Sequence, residues 1–195
     1  AITNNGASIS DEHSFYGSAM FFDGSNDYVD SGALAADETF CVEAWLKVSS
    51  QASGERPINL GNAHNNSSGY LYIELTGSNT FKVRQQSLGV LGDGIGRYDL
   101  GQWVHVAYTH DNTLQVTKFY VNGTCVKSAH GNTWTANSQM VVRLGADQSN
   151  SSAGLYHGYI QDARVYFGTT KYTEDFDVPH PYRPVGIESF RTSPH

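Results

Sequence analysis

The sequence predicts an all-β fold: a two-sheet antiparallel β-sandwich in a single domain. Three observations predict it. Apolar residues alternate with period two along most of the chain, and no helical periodicity runs longer than about ten residues. Clusters of Gly, Asn, Asp and Ser interrupt the alternation at short intervals, as turns between strands do. The chain has 195 residues with 20 glycines, 12 tyrosines and a hydrophobic share of 39%, which suits many short strands around one core.

The elements follow in order. Residues 18–22 and 28–30 flank the turn Asp23-Gly24-Ser25-Asn26. Phe40–Val48 is the clearest strand: Phe40, Val42, Ala44, Leu46 and Val48 fall on one face, and Cys41, Glu43, Trp45 and Lys47 on the other. Residues 57–61 lead into the loop His64-Asn65-Asn66-Ser67-Ser68-Gly69. Residues 70–75 and 80–85 pair across Gly77-Ser78-Asn79, and 103–109 and 115–121 flank Asp111-Asn112-Thr113. Asn122-Gly123 turns directly into 124–128, a strong hairpin signal. Residues 141–145 and 159–166 complete the set, and more than ten strands in one domain imply two large packed sheets. Residues 171–184, with Tyr172, Phe176, Pro179, Pro181 and Tyr182, read as an extended strap on the sandwich, because prolines exclude a central strand. Residues 1–184 are expected to form the domain and 185–195 a tail or linker.

Composition narrows the function. The net charge is −7 with only 12 Lys and Arg, scattered, so the basic face that nucleic acid requires is missing. No apolar run is long enough for a helical membrane span. Two cysteines, Cys41 and Cys125, are fewer than a disulfide-stapled secreted module carries. They read as two semi-buried thiols in preference to a bridge. The chain opens at Ala1 without a charged-then-apolar leader, so either a leader has been removed or this is part of a longer polypeptide.

Five landmarks in order resemble the laminin-G-like type 3 jelly roll of the concanavalin A-like superfamily. They are Phe15 to Gly24 followed by Asn26-Asp27-Tyr28-Val29; Phe40 to Leu46; Trp103-Val104-His105-Val106-Ala107; Phe119-Tyr120-Val121-Asn122-Gly123; and Gly158 to Val165. The segment Lys171-Tyr172-Thr173-Glu174-Asp175-Phe176, with Pro179 after it, is similar to the ending common in versions of this domain on bacteriophage structural proteins and bacterial surface proteins. The resemblance implies binding or display on a virion surface, in a capsid decoration, fibre or tail protein, contacting host glycan or neighbouring virion subunits. The alternative it implies is a carbohydrate-binding lectin module of an extracellular or cell-surface bacterial protein. Self-association as a homo-oligomer is compatible with either.

Sugar binding needs flat aromatics for the apolar face of a pyranose ring, and planar amides and carboxylates for its hydroxyls. The loops offer both: His64, Asn65 and Asn66 before Tyr70 and Tyr72; Asp147, Gln148 and Asn150 before Tyr156; and Trp134 in a polar loop. Each also has a plain structural reading, as a turn former or a core aromatic. Trp45 and Trp103 lie within strands and are assigned to packing.

The resemblance also implies a structural Ca2+ between the turn after the first long strand and an Asp near the last. Asp23 and the Gly24 carbonyl match the first part, but Gln161 stands where the family has Asp, which removes an anionic ligand. No cofactor is required. Glycoside hydrolysis needs two carboxylates flanking one bond. Glu43 and Glu74 stand alone, and the eight histidines form no metal motif, so a non-catalytic domain is expected. Four Asn-x-Ser/Thr sequons, at Asn65, Asn66, Asn122 and Asn150, matter only in a secreted eukaryotic setting.

Overall fold

The computed structural model describes all residues except 15–16, 36, 52, 63–68, 86–88, 137–139, 149–151 and 179–195. The described chain is all β, as the alternation predicts. Its strands are β1 (Thr3–Asn5), β2 (Ser8–Ser10), β3 (Ala19–Asp23), β4 (Tyr28–Asp30), β5 (Phe40–Val48), β6 (Ile58–Asn62), β7 (Leu71–Leu75), β8 (Phe81–Gln85), β9 (Gly89–Ile95), β10 (Trp103–Asp111), β11 (Val116–Val121), β12 (Thr124–His130), β13 (Met140–Leu144) and β14 (His157–Phe167).

Two seven-stranded sheets face each other. Sheet I runs β1-β4-β13-β6-β7-β8-β9 and sheet II runs β12-β11-β10-β5-β14-β3-β2. Every pairing between the named strands is antiparallel. The fully buried Phe40, Leu46, Ile58, Leu60, Ile73, Phe81, Tyr108 and Phe119 fill the space between them. They come from alternate positions of strands on both sheets, so each sheet has one core face and one outer face.

The Asn122-Gly123 hairpin forms as expected. Both residues have positive φ, 48° and 81°, as a two-residue type I′ turn requires. Three strands were not anticipated. β1 and β2 are three-residue, largely exposed strands too polar to show alternation. β9, Gly89–Ile95, carries three glycines and meets β8 with two register shifts, so its pattern is broken.

The strap lies on the outer face of sheet II as far as residue 178; Pro179, Pro181 and Tyr182 lie outside the described residues. The Phe176 amide donates to the Gly123 carbonyl at 2.9 Å, and the Cys125 amide donates to Asp175 Oδ1 at 2.8 Å. The rings of Tyr172 and Phe176 stack 3.5 Å apart, and Phe176 packs on Tyr120. A Cβ at position 123 would stand 2.0 Å from the Phe176 carbonyl oxygen, so only glycine admits the strap there.

This cover changes the reading of β5. Its outer face was expected to be amphipathic, yet Cys41, Glu43 and Trp45 are all buried. Cys41 and Cys125 are both free thiols, on β5 and β12 with β10 and β11 between them. Burial, reinforced by the nearby Glu43 charge, pushes the Cys41 thiol up to about 12.

Candidate functional site

The outer face of sheet I carries the densest polar constellation. In β7 the inward Leu71, Ile73 and Leu75 force Tyr72 and Glu74 outward, in line with Tyr70 just before the strand. The same alternation presents Lys82 and Arg84 from β8, Asn59 and Gly61 from β6, Arg143 from β13, and Tyr28 and Asp30 from β4.

Arg56 sits at the centre. Its Nε donates to Glu74 Oε2 at 2.9 Å, its Nη1 donates to Asp147, and its guanidinium lies 3.9 Å from the centre of the Tyr72 ring. Tyr72 in turn stacks on Tyr70, with ring centres 6.2 Å apart and planes 8° from parallel. Lys82 approaches the other Glu74 oxygen at 3.5 Å. Arg143 forms a two-pronged bond with Asp30 at 2.7 and 2.8 Å, lies over Tyr28, and donates to the carbonyls of Asp147 and Gln148. The bond to Asp30 raises the Arg143 guanidinium further, so its charge is permanent. Arg84 is exposed, 5.7 Å from the Tyr70 ring, and has no carboxylate partner among the described residues.

Three of the expected ligand residues meet on this face. Gln148 Nε2 donates to the carbonyls of Gly61 and Val141 at 2.9 and 3.0 Å, which ties the loop after β13 onto the sheet. A Cβ on Gly61 would fall 3.0 Å from Gln148 Oε1 and 3.1 Å from the Tyr70 Cβ, so this glycine makes room for both. Asp147 joins them through Arg56. Tyr70 and Tyr72 are only 8% and 5% exposed. They brace the guanidinium groups and do not offer a bare stacking platform.

Two expected residues are elsewhere. Trp134 is 2% exposed and packs edge-on against Phe40 at 4.9 Å, so it is a core residue and not a rim aromatic. Tyr156 is fully buried against Phe22, and its hydroxyl donates to the Tyr159 carbonyl. In both cases the apolar ring outweighs the polar neighbours that suggested a loop tip. His64, Asn65, Asn66 and Asn150 lie outside the described residues. Arg56, Glu74, Arg84 and Arg143 were not anticipated. Alternation against Leu71 and Ile73 could have placed Glu74 and Arg84, but no local pattern marks Arg56 or Arg143.

The calcium ligands do not converge. Asp23 Oδ1 accepts from the Ser25 amide in a tight turn, and Asp23 pairs with His157, four residues before Gln161 on β14. Gln161 is buried and donates to the Ser18 carbonyl. The Gly24 turn packs on His157 instead. These residues do not fit a shared Ca2+, and among the described residues no group of three His, Cys, Asp or Glu side chains is placed to hold a metal.

Nor do Glu43 and Glu74 form an acid pair. They lie on the outer faces of opposite sheets, with the core between them. Burial alone would raise the Glu43 carboxyl. Hydrogen bonds from His105, Lys171 and Tyr172, with the Lys171 charge, outweigh it and hold the group down at about 2. Such a carboxylate cannot serve as a general acid near neutral pH.

Comparison with known proteins agrees with this architecture. A type 3 laminin-G-like family, described as the concanavalin A-like lectin/glucanases superfamily, matches residues 23–171. No curated protein sequence matches the chain significantly. Among solved structures, domain 4 of an extracellular GH43 arabinanase from Geobacillus stearothermophilus, in complex with arabinotriose, is similar with a TM-score of 0.64 and 22% identity, over 86% of this chain and 82% of that one. The CBM40 of the Ruminococcus gnavus IT-sialidase, bound to α2,3 sialyllactose, gives 0.58 and 15% over 70% and 84%. A Trypanosoma rangeli sialidase in complex with sialic acid gives 0.62 and 14% over 85% of this chain, which spans 27% of that enzyme. At these identities the likeness is one of fold.

Proposed function

This chain belongs to the concanavalin A-like lectin/glucanases superfamily, and on that premise we propose that it is a non-catalytic glycan-binding module whose ligand meets the outer face of sheet I. One observation carries the reading: Tyr70, Asp147 and Gln148, far apart in sequence, meet there around Arg56, Glu74 and Arg84. Guanidinium and carboxylate groups are the partners that sugar hydroxyls take, and the stacked tyrosines and the Gln148 carboxamide brace them. The opposite outer face is a poorer choice, because the strap covers Glu43, His105 and Tyr120. The arabinotriose and sialyllactose bound by the similar structures support a sugar ligand. An extracellular or cell-surface setting goes with that reading. The carboxylates of this face, Glu74 and Asp147, are both tied to the Arg56 guanidinium, which suits binding better than acid–base work. A glycan array with the purified chain tests the proposal: binding to a defined set of glycans supports it, and a flat array would count against it.

The strap favours a second, narrower setting. Its sequence, Lys171 to Phe176, is similar to the ending of this domain in bacteriophage structural proteins. In that setting the module sits on a virion surface, contacts host glycan or neighbouring virion subunits, and assembles in several copies. Capsid and tail genes beside the parent gene would support it; glycan-degrading genes would favour the bacterial lectin module.

A further inference from the structure

The two halves of the sandwich are filled differently. Between β5, β10 and β11 of one sheet and β7 and β8 of the other, the core is aromatic: Phe40, Phe81, Tyr108, Phe119 and Trp134. Between β14, β3 and the first half of β5 on one side and β4, β13 and β6 on the other lies a gap lined by Met20, Val29, Val42, Ile58, Val142, Leu144 and Val165, while Phe22 packs on Tyr156 outside that lining. Short aliphatic side chains cannot span sheets about 10 Å apart as rings do. The result is a cavity of about 380 Å³, open at one side of the sandwich beside Ile2 and Ala163.

A bulge in β14 makes the opening. Gln161 pairs with Trp45 and Arg164 with Glu43, so Asp162 and Ala163 together face the one residue between those partners. Asp162 has φ +53°, and its carboxylate takes both prongs of the Arg164 guanidinium, at 2.6 and 2.5 Å. The polar side chains nearest the opening have partners of their own. Arg164 is held by Asp162. Glu43 is held by Lys171 and Tyr172. Ser31 Oγ donates to the Gly32 carbonyl and accepts from the Val142 amide. Arg164 is 41% exposed, so its remaining charge belongs to the rim and not to the aliphatic interior, which offers a buried charge no partner.

We propose that this cavity is a second binding site, separate from the sheet I face, for a neutral apolar small molecule. Its volume is more than twice the roughly 150 Å³ that accommodates benzene, which corresponds to a hydrocarbon skeleton of about ten to fifteen carbons. The volume lies within the roughly 300–1,000 Å³ of small-molecule pockets. The aliphatic lining sets the class: a neutral ligand can bury its whole length, whereas a carboxylate of the same length has to hold its charge back at the rim.

The test titrates the full chain with the neutral probe N-phenyl-1-naphthylamine, followed by competition with 1-decanol and with decanoate. The expected result is saturable probe fluorescence, displacement by 1-decanol, and at least tenfold weaker displacement by decanoate. Val142→Phe fills the cavity and Ala163→Trp plugs its exposed mouth; each is expected to weaken probe binding at least tenfold while glycan binding stays unchanged. If Val142→Phe fails to fold, Ala163→Trp, at the surface, still decides the matter. Non-saturable binding, equal displacement by decanoate, or probe binding that survives Ala163→Trp overturns the proposal. Because glycan binding is measured separately, failure here leaves the sheet I reading standing, and the reverse holds too.

Discussion

The Lys171 ammonium donates to Glu43 Oε1 at 2.6 Å and pins the strap to the middle of β5. Glu43 is 2% exposed, and Tyr172 donates to its other oxygen at 2.6 Å. One strap residue therefore neutralises the carboxylate and the next completes its hydrogen bonding. Lys171→Met leaves a buried carboxylate short of its cation. Because Lys171 itself is partly exposed, the expected loss is about 2 kcal/mol, below the range for a fully buried pair. Urea unfolding of wild type and variant measures it.

The same carboxylate fixes an acid limit. Its folded value, about 2, lies below the ordinary 4.5, so its stabilisation is complete above pH 4.5 and is lost as pH falls toward 2. The difference corresponds to about 3 kcal/mol. Glu43→Gln, which cannot ionise, is expected to lack that part of the acid dependence. Thermal melts of both proteins between pH 5 and pH 2 should therefore converge at the acid end.

Trp134 separates packing from recognition. Its ring fills the core beside Phe40 and His110, so Trp134→Ala should cost about 3–5 kcal/mol, as large aromatic deletions do. Protein that remains folded should keep its glycan affinity. Denaturation and calorimetric titration on the same sample distinguish this from the rim role that its polar neighbours suggest.

Asp23 makes a turn, and Gln161 is committed to Ser18. Millimolar Ca2+ is accordingly expected to leave the melting temperature of wild type and of Asp23→Asn within 1 °C of each other, on the order of the few tenths of a kcal/mol of a surface change. Differential scanning fluorimetry with and without chelator provides the check.

The sandwich was legible because its rule is local: alternation such as Phe40, Val42, Ala44, Leu46 fixes a strand and its buried face from neighbours alone. The Asn122-Gly123 turn was legible for the same reason. The site was legible only in part. Tyr70, Asp147 and Gln148 stand out by type and spacing, but Arg56 reaches Asp147 across 91 positions and Arg143 reaches Asp30 across 113. Such ion pairs depend on strand order, which alternation does not encode. Trp134 and Tyr156 misled because their sequence neighbours are polar while their rings point inward. The buried outer face of β5 was hidden because its cover comes from Lys171 and Tyr172, well over a hundred residues later.

The glycan-binding face of sheet I is tested most directly by titrating the best array ligand into wild type, Arg84→Gln and Glu74→Gln by calorimetry. Arg84 is exposed and carries no ion pair within the described residues, only contacts with the Tyr70 and Tyr72 side chains, so its loss should shift the melting temperature little. With sheet I as the binding face, Arg84→Gln lowers affinity about tenfold, the scale of one charge-assisted hydrogen bond, and Glu74→Gln lowers it at least as much. Wild-type affinity in both variants, with the fold intact, would contradict the assignment of this face.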